Sequence, residues 1–375
     1  MSKKRNDIGY RPTWAEVDLT AVAHNLKVVR RLIEPHVLVM ACVKADAYGH
    51  GLVQVSKKLV SSGVDYFGVA SIDEGASLRQ AGIRTPILIL GLIQQESIPA
   101  LLKFSLTPAV CEAGFAHALQ KYCRRRNSRM SVHIKVDTGM GRIGVSHANA
   151  VSLAQEIAGL KNVAIGGIFT HLACADTNRR FTLEQIDIFQ AILSEVRGLG
   201  IRVPLAHAAN SMGVIGYKAS HFNMVRPGLM LYGLYPRDNL NVTLKAVLSL
   251  RTKVIYAKRL PAGSGVSYGH TYTLSKAATV ATLPIGYGDG YPRNLSNQAP
   301  VLIEGELFRI SGRVCMDQLM VDVGNMDVRA GDDAVLIGAQ GKKRITAEEL
   351  AALSGTIPYE IVCGLGSRIP RVYLT

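Results

Sequence analysis

Lys44 closes an apolar run, residues 37–43, and opens the segment Lys44-Ala45-Asp46-Ala47-Tyr48-Gly49-His50-Gly51. A lysine at the end of a buried strand, walled by apolar side chains, loses its charge easily and can condense with a carbonyl to a Schiff base. Tyr48, four residues on in a glycine-bounded loop, offers a phenol to an anion. A second signal is Gly139-Met140-Gly141-Arg142-Ile143-Gly144, a G-x-G-x-x-G after a predicted strand and before a predicted helix. A dinucleotide site would also need an acid about 20 residues on to hold the ribose. Glu156 comes too early and Asp176 too late, and the motif follows the fifth strand instead of the first. The Rossmann reading is rejected. The glycines let backbone pack tightly at a strand end and bring Arg142 to the mouth of the fold.

These residues need elements to hold them. Apolar runs recur at 37–43, 66–70, 87–90, 106–110, 132–136, 163–169, 203–206 and 222–226. Stretches of helical composition lie between them, such as Gly51–Ser61, Glu112–Arg126, Ala148–Ala158 and Leu183–Arg197. Apolar strands without alternation imply burial on both faces, as in a parallel sheet. Eight strands, each followed by a helix, favour a (β/α)8 TIM-type barrel over an open doubly wound sheet, with catalytic groups at the C-terminal strand ends. Lys44 would then sit at the mouth. After about residue 240 the texture changes to Val-, Thr- and Ile-rich segments at 244–257, 277–285, 300–311, 318–323 and 333–338, with one helix at 346–353. This predicts a β-rich C-terminal domain, joined through a linker near residues 236–241.

Composition narrows the function class. The chain has 375 residues, 48% of them hydrophobic and 19% charged, with a net charge of +15. That balance belongs to a globular α/β protein. So basic a surface could attract nucleic acid, but no zinc-finger spacing, aromatic–basic RNA signature or heptad repeat accompanies it, and Arg124-Arg125-Arg126 reads as a solvated helix end. No nucleic-acid partner is expected. The longest apolar runs are far short of the ~20 residues of a spanning helix, and the N-terminus has no apolar signal segment. The six cysteines form no C-x-x-C pair or disulfide framework. A cytoplasmic protein with free thiols and no membrane contact is expected.

Residues 43–51 closely resemble the pyridoxal-phosphate attachment motif of alanine racemases. The resemblance continues, in order, through Trp14-Ala15-Glu16-Val17-Asp18, Lys135-Val136-Asp137-Thr138-Gly139-Met140-Gly141-Arg142, Thr170-His171-Leu172 and Asn210-Ser211. It extends through Arg226-Pro227-Gly228, Ser267-Tyr268-Gly269-His270, the stretch Gly286 to Arg293 and Cys315-Met316-Asp317. It implies a fold-type III enzyme: a closed barrel at 13–238 that carries pyridoxal 5'-phosphate, a β-rich domain from 239–375 joined by residues 1–12 as a strand, and a head-to-tail homodimer. It also implies no metal, and racemisation of L- and D-alanine that supplies D-alanine for peptidoglycan precursors.

Roles carried over by the resemblance fall on matching positions. Lys44 would hold the cofactor as a Schiff base and exchange the α-proton on the D side. Tyr268, from the partner subunit, would be the base on the L side. Two fixed bases, one per face, are what racemisation without a swinging group requires. A phenol, ordinarily near 10, is a poor base without help; His171, backed by Arg226, would supply it. Arg226 would face the pyridine nitrogen and, as a permanent cation, give it no proton. Tyr48, Asn210, Ser211, Gly228, Leu229 and Tyr359 match phosphate- and cofactor-binding positions. Arg142 would bond the cofactor's phenolic oxygen, Met316 the substrate carboxylate, and Lys135 matches a lysine carbamylated in many relatives. Tyr268 and Tyr359 would gate a corridor with Asp176, Arg293 and Arg313 further out. A narrow gate favours alanine, with serine as a slower substrate. A broader amino-acid racemase, or a barrel-type carrier of the cofactor without catalysis, are the alternatives. A related basic-amino-acid decarboxylase would need an acid where Arg226 stands.

Overall fold

The computed structural model describes residues 10–237 and 240–375. Strand β1 (Thr13–Asp18) leads into helix α1 (Leu19–Leu32), which starts where the Asp18 carboxylate accepts the free amides of Thr20 and Ala21. Then follow β2 (Leu38–Cys42), α2 (Leu52–Ser61), β3 (Tyr66–Val69), α3 (Ile72–Gln80), β4 (Ile87–Ile89), α4 (Ile98–Lys103), β5 (Thr107–Val110) and α5 (Ala113–Arg125). The alternation continues through β6 (Met130–Asp137), α6 (Ala150–Ala158), β7 (Val163–Phe169), α7 (Arg179–Gly198), β8 (Leu205–His207), α8 (Ser211–Gly216) and β9 (Met224–Val225).

Strands β2 to β9 pair in parallel, in the order β9-β2-β3-β4-β5-β6-β7-β8. Hydrogen bonds close the seam between β8 and β9. The Arg226 amide donates to Ala209 O at 2.8 Å, and the Asn223 side chain accepts the Ala206 amide at 2.7 Å. The eight apolar runs are therefore the eight barrel strands. Each helix presents one apolar stripe to them; in α5 that stripe is Phe115, Ala116, Leu119 and Cys123. Each fully buried aliphatic side chain contributes about 1.5–3 kcal/mol to this packing.

The second domain contains β10 (Leu248–Lys253), β11 (Tyr256–Leu260), β12 (Ala278–Leu283), β13 (Pro300–Ile303), β14 (Glu306–Arg309), β15 (Leu319–Gly324) and β16 (Asp333–Gln340). Helices α9 (Ala347–Ser354) and α10 (Pro358–Cys363) and strand β17 (Arg371–Leu374) complete it. One sheet runs β14-β13-β16-β10-β1-β17, and β11-β12-β15 form another. The N-terminal strand of this domain lies later than expected: it is β1, Thr13–Asp18, inside the span assigned above to the barrel. Ala15 and Val17 point into the core while β1 pairs antiparallel with β10 and parallel with β17. Of the expected strand at 1–12, residues 1–9 lie outside the described residues, as do Asp238 and Asn239 of the expected linker. Among the described residues no helix is long and apolar enough to cross a membrane, and all six cysteines are free thiols.

Candidate active site

Beyond β2 the chain does something that the residue types do not announce. Ala45, Asp46, Ala47 and Tyr48 all adopt left-handed backbone angles, with φ of 52°, 54°, 52° and 55°. Each L-residue so placed costs about 1–2 kcal/mol, so the turn persists only because its surroundings fix it. Glu74 accepts the Ala45 amide on one oxygen (2.7 Å) and the Ala70 amide on the other (2.6 Å). Asp46 accepts the Leu52 amide at 2.7 Å. His50 Nδ1 lies 3.0 Å from Ala47 O and 2.8 Å from Tyr48 O, so that nitrogen carries the proton and donates. The turn starts at Lys44 and ends with Tyr48 buried between Tyr232, stacked at 4.8 Å, and Tyr359 at 5.8 Å. Burial, followed by the neighbouring Cys42 and Tyr359, pushes the Tyr48 phenol well above its usual range.

Beside β2, Arg226 follows the paired strand β9 and is only 3% exposed. Its guanidinium donates to Thr170 O at 2.7 Å, Ala208 O at 3.0 Å and His207 Nδ1 at 2.8 Å, and His171 Nδ1 lies at 3.3 Å. A guanidinium only donates, so His207 keeps its proton on Nε2. That proton goes to His133 Nδ1 at 2.8 Å. A chain of neutral imidazoles thus runs from Arg226 into the barrel core. Burial, then the charge of Arg226, holds all three rings neutral: His133 falls to about 3, and His171 and His207 drop well below their ordinary value. Burial brings Arg226 itself down to about 10. Its hydrogen-bond partners among the described residues include no carboxylate.

Lys135, on β6, is 4% exposed with its amine 4.6 Å from the Phe169 ring centroid. Burial, then Arg226 and Arg142, lowers it to about 6. The glycine motif after β6 is occupied from within. Asp137 accepts the amides of Gly139 (2.9 Å), Met140 (2.8 Å) and Gly141 (3.0 Å), so those donors are not free to cradle a phosphate. A Cβ on Gly144 would stand 2.6 Å from the Asp137 amide, which is the tight packing expected of it.

These groups surround a cavity of about 420 Å³. Twelve expected residues line it: Lys44, Tyr48, Lys135, Arg142, His171, Asp176, Asn210, Ser211, Arg226, Gly228, Leu229 and Tyr359. Four are basic, and among the described residues Asp176 is the only carboxylate in the wall. Such a cavity suits an anion. Asn210 caps α8, and the Gly228 and Met230 amides converge on Ser211 Oγ at 3.1 and 3.3 Å. A Cβ at Gly228 would stand 2.5 Å from the Tyr48 hydroxyl, so only glycine lets that phenol approach. Hydroxyls, close-packed backbone amides, cations and a lysine amine around one cavity match a phosphorylated aldehyde in size and chemistry.

Four expected residues are not brought to this cavity. Tyr268 and Met316 are 71% and 53% exposed on the second domain. Arg313 is beside them, since Ser267 Oγ donates to Arg313 O at 2.6 Å and meets Cys315 Sγ at 3.4 Å. Arg293 lies in the adjoining turn, tied through Ser296 to the Val314 amide. The structure therefore sorts the expected site into a cavity on the barrel and a cluster on the second domain. Sequence reasoning missed Phe169, which stacks on His207 at 4.8 Å and lies under both Lys135 and Arg226. Its signal was there: it is the last residue of the 163–169 run, at the catalytic end. His133, inside the 132–136 run with Lys135, and His207, one residue past the 203–206 run, were missed because a histidine beside apolar residues carries no chemical signal of its own.

Comparison with known proteins agrees with this arrangement. Residues 17–236 match the family model for the alanine racemase N-terminal domain, and residues 247–373 match the model for its C-terminal domain. An alanine racemase of Halothermothrix orenii is 46% identical over 367 residues, 97% of each chain. The crystal structure of alanine racemase from Bacillus anthracis with bound L-Ala-P has a TM-score of 0.92 at 35% identity, covering 98% of this chain and 96% of that one. A histidine racemase from Leuconostoc mesenteroides shares the fold at a TM-score of 0.90 and 29% identity, covering 99% of this chain and 100% of that one. With both domains matched, in order and nearly end to end, the chain belongs to the alanine racemase family.

Proposed function

We propose that this chain interconverts L- and D-alanine, with pyridoxal 5'-phosphate held in the barrel cavity and the reaction completed by a second copy of the chain in a head-to-tail dimer. In the cytoplasm this would supply D-alanine for peptidoglycan precursors. The observation that carries the reading is the convergence of Lys44, Tyr48, Arg142, His171, Ser211 and Arg226 on one cation-rich cavity, beside a lysine poised at a strand end. When bound, the cofactor supplies a conjugated system that acidifies the substrate's α-C–H.

The chain's own residues do the rest. Lys44 anchors the group and moves a proton on one face. Tyr268, exposed and absent from its own cavity, serves the opposite face of the neighbouring copy's site. His171 receives an N–H bond from Arg226 on Nδ1, so its proton sits on Nε2, where it can donate to a phenolate and make that phenol a usable base. Arg226 offers N–H bonds without a transferable proton, which keeps a facing ring nitrogen unprotonated and favours return of the α-proton over transamination. Arg142 and the Met316 amide hold carboxylate and phenolic oxygens, and Ser211, Tyr48, Tyr359 and the backbone at Gly228 and Leu229, capped by Asn210, hold the phosphate. Asp176, Arg293 and Arg313 line the approach.

The test is proton NMR of L-alanine in D₂O with the purified chain and added pyridoxal phosphate, followed by chiral analysis. Loss of the α-proton with D-alanine rising toward equality is expected. In Lys44→Ala both exchange and racemisation vanish. In Tyr268→Phe exchange from D-alanine outlasts exchange from L-alanine. An untouched α-proton in a protein that still binds the cofactor would favour the carrier reading. Because a histidine racemase shares the fold, serine and histidine belong in the same assay. Faster turnover of either than of alanine would replace alanine as the substrate.

A further inference from the structure

Tyr268 stands on a turn of the second domain that is built around a strained residue. Gly265 and Val266 pair antiparallel with Thr273 and Tyr272, and the chain reverses between them. Val266 is buried and Tyr268 exposed, so the chain leaves the core at the residue between, Ser267. Ser267 has φ 66° and ψ −176°. That combination is populated almost only by glycine, because a Cβ placed there crowds the adjoining backbone. A serine in this conformation carries strain that a glycine would not.

The surroundings hold the strain in place. Ser267 Oγ donates to Arg313 O at 2.6 Å and lies 3.4 Å from Cys315 Sγ, whose thiol is itself 3.5 Å from Arg313 O. The acceptor is fixed in turn. The Val314 amide, in the same peptide unit, donates to Ser296 Oγ at 3.0 Å, and the Cys315 amide donates to Gln318 O at 2.9 Å. Gly312 admits this close approach, since a Cβ there would stand 2.5 Å from Val266 O. On the other side of Tyr268, Arg313 Cζ lies 3.3 Å from where a Cβ on Gly269 would stand. Arg313 thus brackets Tyr268, with its carbonyl before it and its guanidinium after it.

We infer that Ser267 is a positioning residue: its hydroxyl, anchored on Arg313 O, holds the strained angle that aims the Tyr268 phenol out of its own domain and into the neighbouring copy's site. The strain is what makes a clamp necessary. Without it, φ relaxes toward the negative values of an ordinary serine, and that reversal swings the next residue to another face of the turn. Proton transfer tolerates little of this, since a misplacement of about 1 Å costs on the order of a hundredfold in rate. Ser267 itself touches no reacting atom. The inference rests on the racemase reading of Tyr268.

Two substitutions test it. Ser267→Gly adopts the same angles freely and removes the hydroxyl, whereas Ser267→Ala keeps the strain and loses the clamp. Deuterium uptake at the α-carbon is followed separately from L- and D-alanine, with pyridoxal phosphate present. In both variants initial exchange from L-alanine is expected to fall about tenfold or more, while exchange from D-alanine, which Lys44 carries, stays within about twofold. Loss of the fold or of the cofactor would lower both together, and circular dichroism identifies the first.

The second readout needs no turnover. In fluorine-19 NMR of the chain labelled with 3-fluorotyrosine, the Tyr268 resonance is assigned by its absence in Tyr268→Phe. It is expected to shift in both Ser267 variants while the resonances of the buried Tyr232 and Tyr291 hold. An unchanged ratio of L to D exchange, an equal loss on both faces by a folded variant, or an unmoved Tyr268 resonance overturns the inference. A wild-type chain that exchanges neither enantiomer, with the Tyr268 resonance shifting as described, would leave the hold of Ser267 on Tyr268 standing and sink the racemase reading alone.

Discussion

Removing carbon dioxide from the enzyme tests Lys135 without changing a single atom of the sequence. Burial, reinforced by Arg226 and Arg142, brings its amine from 10.5 to about 6. At pH 7.5 an ordinary lysine has about one amine in a thousand neutral, whereas this one has roughly 97%. The nucleophilic form is thus enriched about a thousandfold. Its addition to carbon dioxide forms an N–C bond and releases one proton to solvent, replacing a neutral amine with a carbamate anion beside two guanidinium groups. The sign follows from the direction of the shift: the neutral amine is present above about 6 and lost as pH falls through it. Carbon-13 NMR with labelled bicarbonate is expected to show one carbamate resonance per chain, absent in Lys135→Gln. Activity should fall about tenfold after an acid pulse and degassing, the size of one lost charge-assisted contact to Arg142, and return with bicarbonate. A wild-type spectrum without the resonance, or one unchanged in Lys135→Gln, would refute the reasoning.

Three further outcomes are expected. Arg226→Glu puts a transferable proton where the guanidinium stood, so pyruvate formed per racemisation event should rise; an unchanged ratio by coupled lactate dehydrogenase assay removes the assigned role. Asp289, wholly buried, bonds Arg11 at 2.5 and 2.6 Å and accepts the Gly286 amide. Asp289→Asn should lower stability by about 2–3 kcal/mol in urea unfolding, less than for a fully buried pair because Arg11 is partly solvated, and equal midpoints would show that the pair anchors nothing. Ala45→Gly, at an exposed position with φ 52°, relieves about 1–2 kcal/mol of left-handed strain and returns up to about 1 to unfolded-chain entropy, so the fold should gain roughly 0.5–1 kcal/mol; a lower unfolding midpoint would count against the strain argument.

The barrel was legible because its strands are buried on both faces, so apolar runs mark them directly. The run read at 163–169 is β7 to the residue, and that at 66–70 is β3 with one residue more. Runs 244–257 and 300–311 each proved to cover two strands, broken at Val254-Ile255, where the chain passes from one sheet to the other, and at Glu304-Gly305, a hairpin turn too tight to leave much polar sequence between its strands. Lys44 could be singled out because a charge ends an apolar run. The left-handed turn after it could not, since Ala45-Asp46-Ala47 has no residue that demands positive φ; the clamp comes from Glu74, far along the chain. Tyr359 was found only by resemblance, because the short helix α10 that carries it has no periodicity to read.

The placement of β1 has a consequence for how the chain is made. It is made well before the strands it pairs with, for its antiparallel partner begins at Leu248 and its parallel partner at Arg371. At the ~5–20 residues per second of synthesis, β1 waits on the order of ten seconds or more with both edges unpaired while the barrel, complete at Val225, can already close behind it. A waiting strand with two open edges is an aggregation hazard. Arg11 and Pro12 before it and the Asp18 cap after it keep the segment short and polar at both ends. Loss of β17 would therefore harm β1 before it harmed the barrel, and the arrival of β17 becomes the event that seals the second domain.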